Sequence, residues 1–294
     1  MSASPTATAN AFAAERTRLL GIAYRMLGSR ADAEDVLQDA WLRWNESGSA
    51  DVRSTQAWLT TIVTRLSIDR LRSAKARREV YIGPWLPEPL ADIDPVTPES
   101  KAELASELSL AFLSLLERLG PDERAAFVLH DAFDCDYDDI AEMLNKSAAA
   151  CRQLVHRARE RVMAERQRFR VDERTRQRML ERFIEVANVG DLPALKALFA
   201  SDAHLVSDGG GKAVAARRIL HGAERIALLF QMIFRRNARG IERRLVRING
   251  ELGLATSFRG KLHSVTTIDT DGERIYAHYT VANPDKLGEF LPVG

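Results

Sequence analysis

The chain has 294 residues, enough for two or three domains, and its 46% apolar content is that of an ordinary globular protein. A formal net charge of +1 excludes overall basicity as an argument for nucleic-acid binding, so any such case rests on local patches: acids gather at 32–39 and 131–139, bases at 70–78 and 152–178. Cys135 and Cys151 lack metal-ligand spacing and read as two buried, reduced thiols of a cytoplasmic protein; the N-terminus has no secretory apolar region, and no apolar run approaches the roughly 20 residues of a membrane span.

Residues 1–10 are small and polar and are expected to be disordered. From Ala11 to Leu27, Phe12, Leu19, Leu20, Ala23, Tyr24 and Leu27 recur at helical spacing, and Gly28-Ser29 ends that helix. In the next segment Ala33, Val36, Leu37, Ala40, Trp41 and Trp44 form one apolar stripe, with Asp32, Asp35 and Asp39 off it. Asp35 and Asp39 are like charges one turn apart, which costs an isolated helix about 0.2–0.5 kcal/mol. An external basic partner would offset that cost; a solvated acidic face near a helix N-terminus is the competing reading.

A Ser-, Gly- and Asp-rich loop leads into a long helix over 55–79 that packs through Trp58, Leu59, Ile62, Val63 and Leu66. Arg65 and Asp69 stand four apart and are expected to pair. The helix ends in a basic run, Arg70, Arg72, Lys75, Arg77 and Arg78, and its Thr and Ser residues could also reach phosphates or bases. Residues 80–103 cannot form one regular element, because Pro84, Pro87, Pro89, Pro95 and Pro98 remove donors and fix φ. They read as a semi-extended linker, yet Trp85, Leu86 and Pro87 open a WLPEPL motif too apolar for a spacer, so docking is expected.

Two helices, 104–119 and 122–133, the second with Pro121 in its first turn, are expected to support the stretch 136–161. There Tyr137, Ile140, Ala141 and Leu144 lie at helical spacing behind an Asp136 N-cap. Asn145-Lys146-Ser147 is a turn in which Asn adopts a left-handed conformation and Ser147 caps the next helix. On that helix Cys151, Leu154, Val155, Ala158 and Val162 share a packed face, while Arg152, Gln153, His156, Arg157 and Arg159 share an outer one able to meet an anion. This is a helix-turn-helix pattern.

Acidic stripe, basic helix, linker and helix-turn-helix together resemble the extracytoplasmic-function sigma factors of bacterial RNA polymerase across residues 10–168. The resemblance is carried by AEDVLQDAWLRW at 33–44, AWLTTIVTRLSIDRLR at 57–72 and HRARERV at 156–162. It implies two all-α domains: region 2 at 11–79, which binds core polymerase and the −10 element, and region 4 at 104–170, which binds the −35 element. Asp35, Gln38 and Asp39 would face the clamp helices of the largest polymerase subunit. Arg65, Asp69, Arg72, Arg77 and Arg78 would lie at −10 promoter DNA, and Ser147, Arg152, Gln153, His156 and Arg157 at −35 DNA. The linker would run through the polymerase cleft toward the RNA exit path. Arg65 stands where many of the family have Asn, and Ala150-Cys151 where they have Thr-Val.

Residues 171–294 follow as helices at 174–189, 192–199 and 223–234, a short strand at 203–206, and then β-patterned segments over 242–282. Turns fall at Asn249-Gly250, Arg259-Gly260 and Asp271-Gly272, which argues for an α+β domain with an antiparallel sheet. Its element order resembles the SnoaL-like group of the nuclear-transport-factor-2-like superfamily, a cone of helices over a curved sheet. Asp208, His204, His263 and His278 are available as acid/base groups, but spacing fixes no second catalytic group. Asp208, Gly209, Gly210, Gly211 and Lys212 lack the P-loop spacing, so nucleotide binding is rejected.

With WLPEPL and the NPDKL motif at Asn283, Pro284, Asp285, Lys286 and Leu287, this DGGGK stretch resembles the sigma-factor subgroup whose fused SnoaL-like tail regulates the sigma core. That implies an intramolecular contact of the tail with the core or the linker. No catalytic residue, cofactor, metal or membrane is implied, and a small-molecule ligand in the pocket stays open. The competing functions are a conventional helix-turn-helix regulator and a DNA-binding domain fused to a cyclase or isomerase.

Overall fold

The computed structural model describes residues 5–47, 54–91, 108–165, 171–237, 240–288 and 290. The chain divides into two compact units, one of residues 1–79 with 115–166 and the other of residues 80–114 with 167–294. No helix among the described residues is long and apolar enough to cross a membrane.

The first unit is all-α. It comprises α1 (Pro5–Leu27), α2 (Arg30–Ser47), α3 (Thr55–Glu79), α5 (Pro121–Phe127), a π-helical turn (Val128–Ala132), α6 (Tyr137–Leu144) and α7 (Ala148–Glu165); α4 (Leu110–Leu116) spans the boundary. The first helix begins earlier than its composition suggests. Pro5–Asn10, expected to be disordered, are helical, and the Thr8 carbonyl accepts the indole N–H of buried Trp44 at 3.1 Å. A long-range hydrogen bond and the Pro at the helix start offset the weak local signal. The apolar stripes hold: Leu19, Ala23, Tyr24, Leu27, Ala33, Val36, Leu37, Ala40 and Trp44 are buried.

Arg124 of α5 is also fully buried. It donates to the Arg25 carbonyl at 2.8 Å and to Glu117 at 2.5 Å, and burial pushes its guanidinium pKa down to about 9. The helix expected over 122–133 changes at Val128 into the π turn, where Cys135 N–H bonds the Leu129 carbonyl at 3.0 Å. Cys151 is buried as expected, whereas Cys135 is only half-buried beneath Arg18.

The second unit is α+β. Helices α8 (Glu173–Val189), α9 (Leu192–Leu198) and α10 (Ala223–Asn237) cover one face of a mixed sheet of β1 (Phe199–Asp208), β2 (Leu220–His221), β3 (Ile241–Ile248), β4 (Glu251–Phe258), β5 (Lys261–Thr270) and β6 (Ile275–Val281). A short α11 (Pro284–Leu287) follows. Strand order is β2-β1-β6-β5-β4-β3. Strands β3 to β6 form the expected antiparallel meander, with Asn249-Gly250 and Arg259-Gly260 at positive φ as two-residue hairpins require. The sheet is not purely antiparallel: β1, ten residues long rather than the expected four, pairs parallel to β6. This pairing joins the two ends of the domain and has no local sequence signature.

Two apolar layers sandwich the sheet. The helix-side layer contains Leu180, Phe183, Leu195, Leu198, Phe199, Ile226, Phe230, Leu254 and Ile268. On the opposite face Val206, Ile248, Ala255, Val265, Ala277 and Val281 are covered not by a helical layer but by Leu86 of the linker, Leu110 of α4, and Leu287 and Phe290 of the C-terminal segment. Linker and tail thus complete the core of this domain.

His278 lies in the helix-side layer, with ring centroids of Phe183 and Phe230 at 5.5 and 5.2 Å; burial pushes its pKa down to about 3. It stays neutral folded but takes a proton when unfolded, so its contribution is complete above pH about 6.5 and is lost as pH falls toward 3. Buried Glu251 and Asp269, raised by burial to about 7 and 6, slope oppositely between pH about 4 and 7. Comparing wild type with His278→Phe by thermal unfolding isolates the histidine. The variant is expected to lose about 2 kcal/mol less than wild type between pH 7 and 5; identical pH curves would contradict this.

Candidate functional site

On α2, Asp35, Gln38 and Asp39 share an exposed face, with Leu42, 51% exposed, one turn further along. The acidic stripe is not waiting solely for an external cation. Arg70 of α3 hydrogen-bonds Asp32 at 3.0 Å and pairs with Asp35, an internal counter-charge that offsets the Asp35–Asp39 repulsion. Sequence spacing could not reveal this pair, because its partners come from separate helices.

On α3, Arg65 and Asp69 do not pair with each other. Asp69 lies 3.5 Å from Arg72, which also reaches Asp122 at 3.3 Å. Arg65 donates through Nε to the Met143 carbonyl at 2.9 Å and through Nη2 to the Glu142 carbonyl at 3.0 Å, in the last turn of α6. Thr60, Thr64 and Ser67 are buried, and the Thr60 and Thr61 hydroxyls bond the carbonyls four residues back. The side chains of Arg77 and Arg78 lie outside the described residues.

The helix-turn-helix forms as its pattern requires. Asn145 is left-handed at φ 54, the Ser147 hydroxyl accepts the Ala150 N–H at 3.2 Å, and Cys151, Leu154, Val155, Ala158 and Val162 are all buried. Asp136 occupies the N-cap position without a side-chain capping bond. Arg152, Gln153, His156 and Arg157 point outward. Arg152 lies over the Tyr137 ring at 5.6 Å, His156 lies 3.5 Å from Glu160, and Arg157 is tied to Glu123 at 3.2 Å. Three acids missed by sequence reading orient this surface. Glu123 binds both Arg157 and Arg161, Asp131 grips Arg159 through paired bonds of 2.9 and 2.7 Å, and Asp122 holds Lys146 of the turn at 2.9 Å.

In the second unit the three separate motifs converge on one buried carboxylate. Asp208 has no exposed surface. Its Oδ1 accepts the Tyr81 hydroxyl at 2.5 Å and the Gly210 N–H at 3.1 Å; its Oδ2 accepts the Leu86 N–H at 2.8 Å and Lys286 Nζ at 2.7 Å. Lys286 also donates to the Leu86 carbonyl at 2.5 Å and sits 4.0 Å from the Trp85 ring centroid. Asn283 Nδ2 donates to the Tyr81 oxygen at 2.9 Å, while the Ala282 and Asn283 N–H groups both bond the Asp208 main-chain carbonyl. Burial and the bond to Asp208 raise the Tyr81 pKa, keeping it a donor.

Close approach explains two of the glycines. A Cβ on Gly210 would lie 2.3 Å from Asn283, and one on Gly211 2.8 Å from Ile82. Pro87 is buried, and Asp285 caps the arrangement outside by pairing with Lys212 at 2.5 Å. A second tie holds the linker: buried Asn249 exchanges two 2.8 Å bonds with the main chain of Leu90 and donates to the Leu108 carbonyl at 2.8 Å. Among the other candidate groups, His204 bonds Tyr279 at 3.3 Å and His263 is exposed, and neither is among the hydrogen-bond partners of Asp208. Among the described residues no cluster of three or more His, Cys, Asp or Glu could hold a metal.

Family models match both helical regions: Sigma-70 region 2 over residues 11–77 and Sigma-70 region 4 over residues 109–162. The chain is 37% identical over 287 residues to the ECF RNA polymerase sigma factor SigJ of Mycobacterium tuberculosis, covering 94% of this chain and 92% of that one. The chain belongs to the extracytoplasmic-function sigma factors.

The crystal structure of that SigJ superposes on this sigma factor with a TM-score of 0.75 at 34% identity, covering 94% of this chain and 96% of the other. The probable ECF sigma factor SigI of Mycobacterium tuberculosis is 37% identical over 187 residues, 63% of this chain and 64% of its own. The molecule is therefore a sigma factor that directs RNA polymerase in transcription initiation, and the family is not an enzymatic one. Neither a conventional helix-turn-helix regulator nor a fused cyclase accounts for a relative matching over both helical regions and the C-terminal domain together.

Removing Lys286 leaves the Asp208 carboxylate buried without its cation, a loss of about 3–5 kcal/mol. Lys286→Ala is expected to lower the unfolding free energy of the second unit, read from a denaturant titration, by that amount. Lys286→Met with Asp208→Asn is expected to recover most of it. A double variant as unstable as the sum of the two single variants would show that the two groups do not act as a pair.

Proposed function

We propose that the C-terminal domain regulates this sigma factor by holding its own linker. The observation that carries the reading is the buried Asp208 carboxylate, which binds Tyr81 and Leu86 of the linker and Lys286 of the C-terminal segment at once. In the family the segment between regions 2 and 4 threads the polymerase cleft, and here its first part is part of a domain core. Engagement by polymerase and docking on the sheet therefore compete for Tyr81 to Leu90. Because the dock is internal to the chain, its effective concentration is high without a separate regulatory protein.

The partner faces follow from the same family reading. Asp35, Gln38 and Asp39 form the face for core polymerase. Arg65, Asp69 and Arg72, with Arg77 and Arg78 beyond them, serve the −10 element. Arg152, Gln153, His156 and Arg157 face the −35 element, and Ser147 fixes the start of their helix. Arg and Gln suit this task, since they hydrogen-bond guanine and adenine edges bidentately. The chain acts in the cytoplasm, where its polymerase is.

Run-off transcription tests the regulatory half. Deleting 283–294, or replacing 208–212, is expected to raise output at limiting core polymerase while the helical unit, residues 1–79 and 115–166, stays folded. Output indifferent to both changes would remove the regulatory role. Core binding tests the acidic face: Asp39→Arg, which leaves the Arg70 clamp in place, is expected to weaken the complex at least tenfold. An unchanged affinity would exclude that face as the polymerase contact.

A further inference from the structure

One end of the sheet's helix-side face is polar. Ser207, Thr280 and Thr266 stand side by side across β1, β6 and β5, and Ser264, Thr256 and Arg243 form the next row across β5, β4 and β3. Ser207, Thr266 and Ser264 are buried, where hydroxyls cost stability against the aliphatic and aromatic side chains that fill the rest of the layer. Part of the patch bonds internally, Thr266 to Thr280 at 3.0 Å and Thr280 to His278 Nδ1 at 3.1 Å. That chain ends at His278 Nε2, which is buried among the rings of Phe183 and Phe230 and has no hydrogen-bond partner among the described residues.

Arg243 is the second unsettled group. It is half-buried, donates to the exposed Asn188 side chain of α8 and pairs with no carboxylate among the described residues, so burial pushes its pKa down with no acid to offset it. Phe183, against His278, and Asn188, at Arg243, lie five residues apart on α8, about 7.5 Å at about 1.5 Å per residue. A cation, apolar rings and an unpartnered imidazole nitrogen thus follow one another over about the length of a para-substituted benzoate. The neutral imidazole offers Nε2 as donor or acceptor according to its tautomer, and a hydroxyl matches either. We propose that this face binds a small aromatic carboxylic acid bearing a second polar group, its carboxylate held by Arg243, its ring against Phe183 and Phe230, and its far polar end on His278 Nε2. Half-buried Ile233 and Leu245 leave the Arg243 end as the mouth. The site lies on the face of the sheet opposite the Asp208 dock, and the inference does not depend on the regulatory reading.

The test uses the full-length chain with isotope-labelled histidine nitrogens and three probes: 4-hydroxybenzoate, its neutral amide 4-hydroxybenzamide, and benzoate, which lacks the hydroxyl. The His278 Nε2 resonance is assigned by its loss in His278→Phe. The expected result is that 4-hydroxybenzoate shifts this resonance saturably with a Kd below about 1 mM, and that the amide and benzoate each bind at least about fivefold more weakly. Arg243→Gln, a change at the half-exposed mouth, is expected to weaken 4-hydroxybenzoate at least about tenfold and to leave the amide unchanged, which separates loss of charge recognition from damage to the fold. The comparison of acid with amide on the wild-type chain needs no variant. A resonance unmoved by 4-hydroxybenzoate at about 10 mM would overturn the proposal. Equal binding of acid and amide, which would mean an apolar cavity only, or acid binding indifferent to Arg243→Gln, would overturn it as well.

Discussion

The second unit depends on the charge of Asp208 being satisfied where no water reaches it. A carboxylate in such a place is tolerated only when cation and donors saturate it, and its partners come from three distant parts of the chain: Tyr81 and Leu86, Gly210, and Lys286. The constraint is therefore topological as well as electrostatic. The linker cannot leave the sheet without stranding the carboxylate or drawing Lys286 away with it. Leu86, Leu287 and Phe290 add apolar burial on the same face, so one buried ion pair fixes where a much larger apolar surface is covered. Asn249 makes a neutral version of the same tie to Leu90 and Leu108.

A similar economy of charge runs through the helical unit. Arg70 neutralises Asp32 and Asp35, Glu123 takes Arg157 and Arg161, Asp131 takes Arg159, and Arg65 takes main-chain carbonyls. Exposed pairs of this kind add little stability each, and their consequence is for binding. A basic side chain already holding an acceptor gives up that bond on meeting DNA, so the net gain from each contact is small and depends on salt. A formal net charge of +1 fits a protein that reads promoters together with polymerase rather than by bulk attraction.

Much of this was legible from residues, and the boundary of legibility is physical. Helical stripes such as Ala33 to Trp44, the left-handed Asn145, the packed face of α7 and the two Gly-containing hairpins follow from local periodicity and turn chemistry, which sequence displays directly. The linker's dock was expected from surplus apolar character in WLPEPL, but not its partner groups, because Leu86 and Lys286 are 200 residues apart. The parallel pairing of β1 with β6, the pairing of Arg70 with Asp32 and Asp35, and the meeting of Arg65 with Met143 were hidden for the same reason. A main-chain carbonyl has no sequence signature at all, which is why Arg65 was assigned to Asp69 one turn away. Pro5–Asn10 failed in the opposite direction, since weak local propensity was overridden by the Trp44 bond.

The measurement that bears most directly on the central claim is amide hydrogen exchange at Leu86 and Leu90, whose N–H groups point into Asp208 and Asn249. In the free sigma factor both amides are expected to exchange as slowly as the central strands of the sheet, and to become fast when core polymerase binds and takes the linker. Equally slow exchange in a transcribing holoenzyme would mean that the linker never leaves the domain, and would contradict the account.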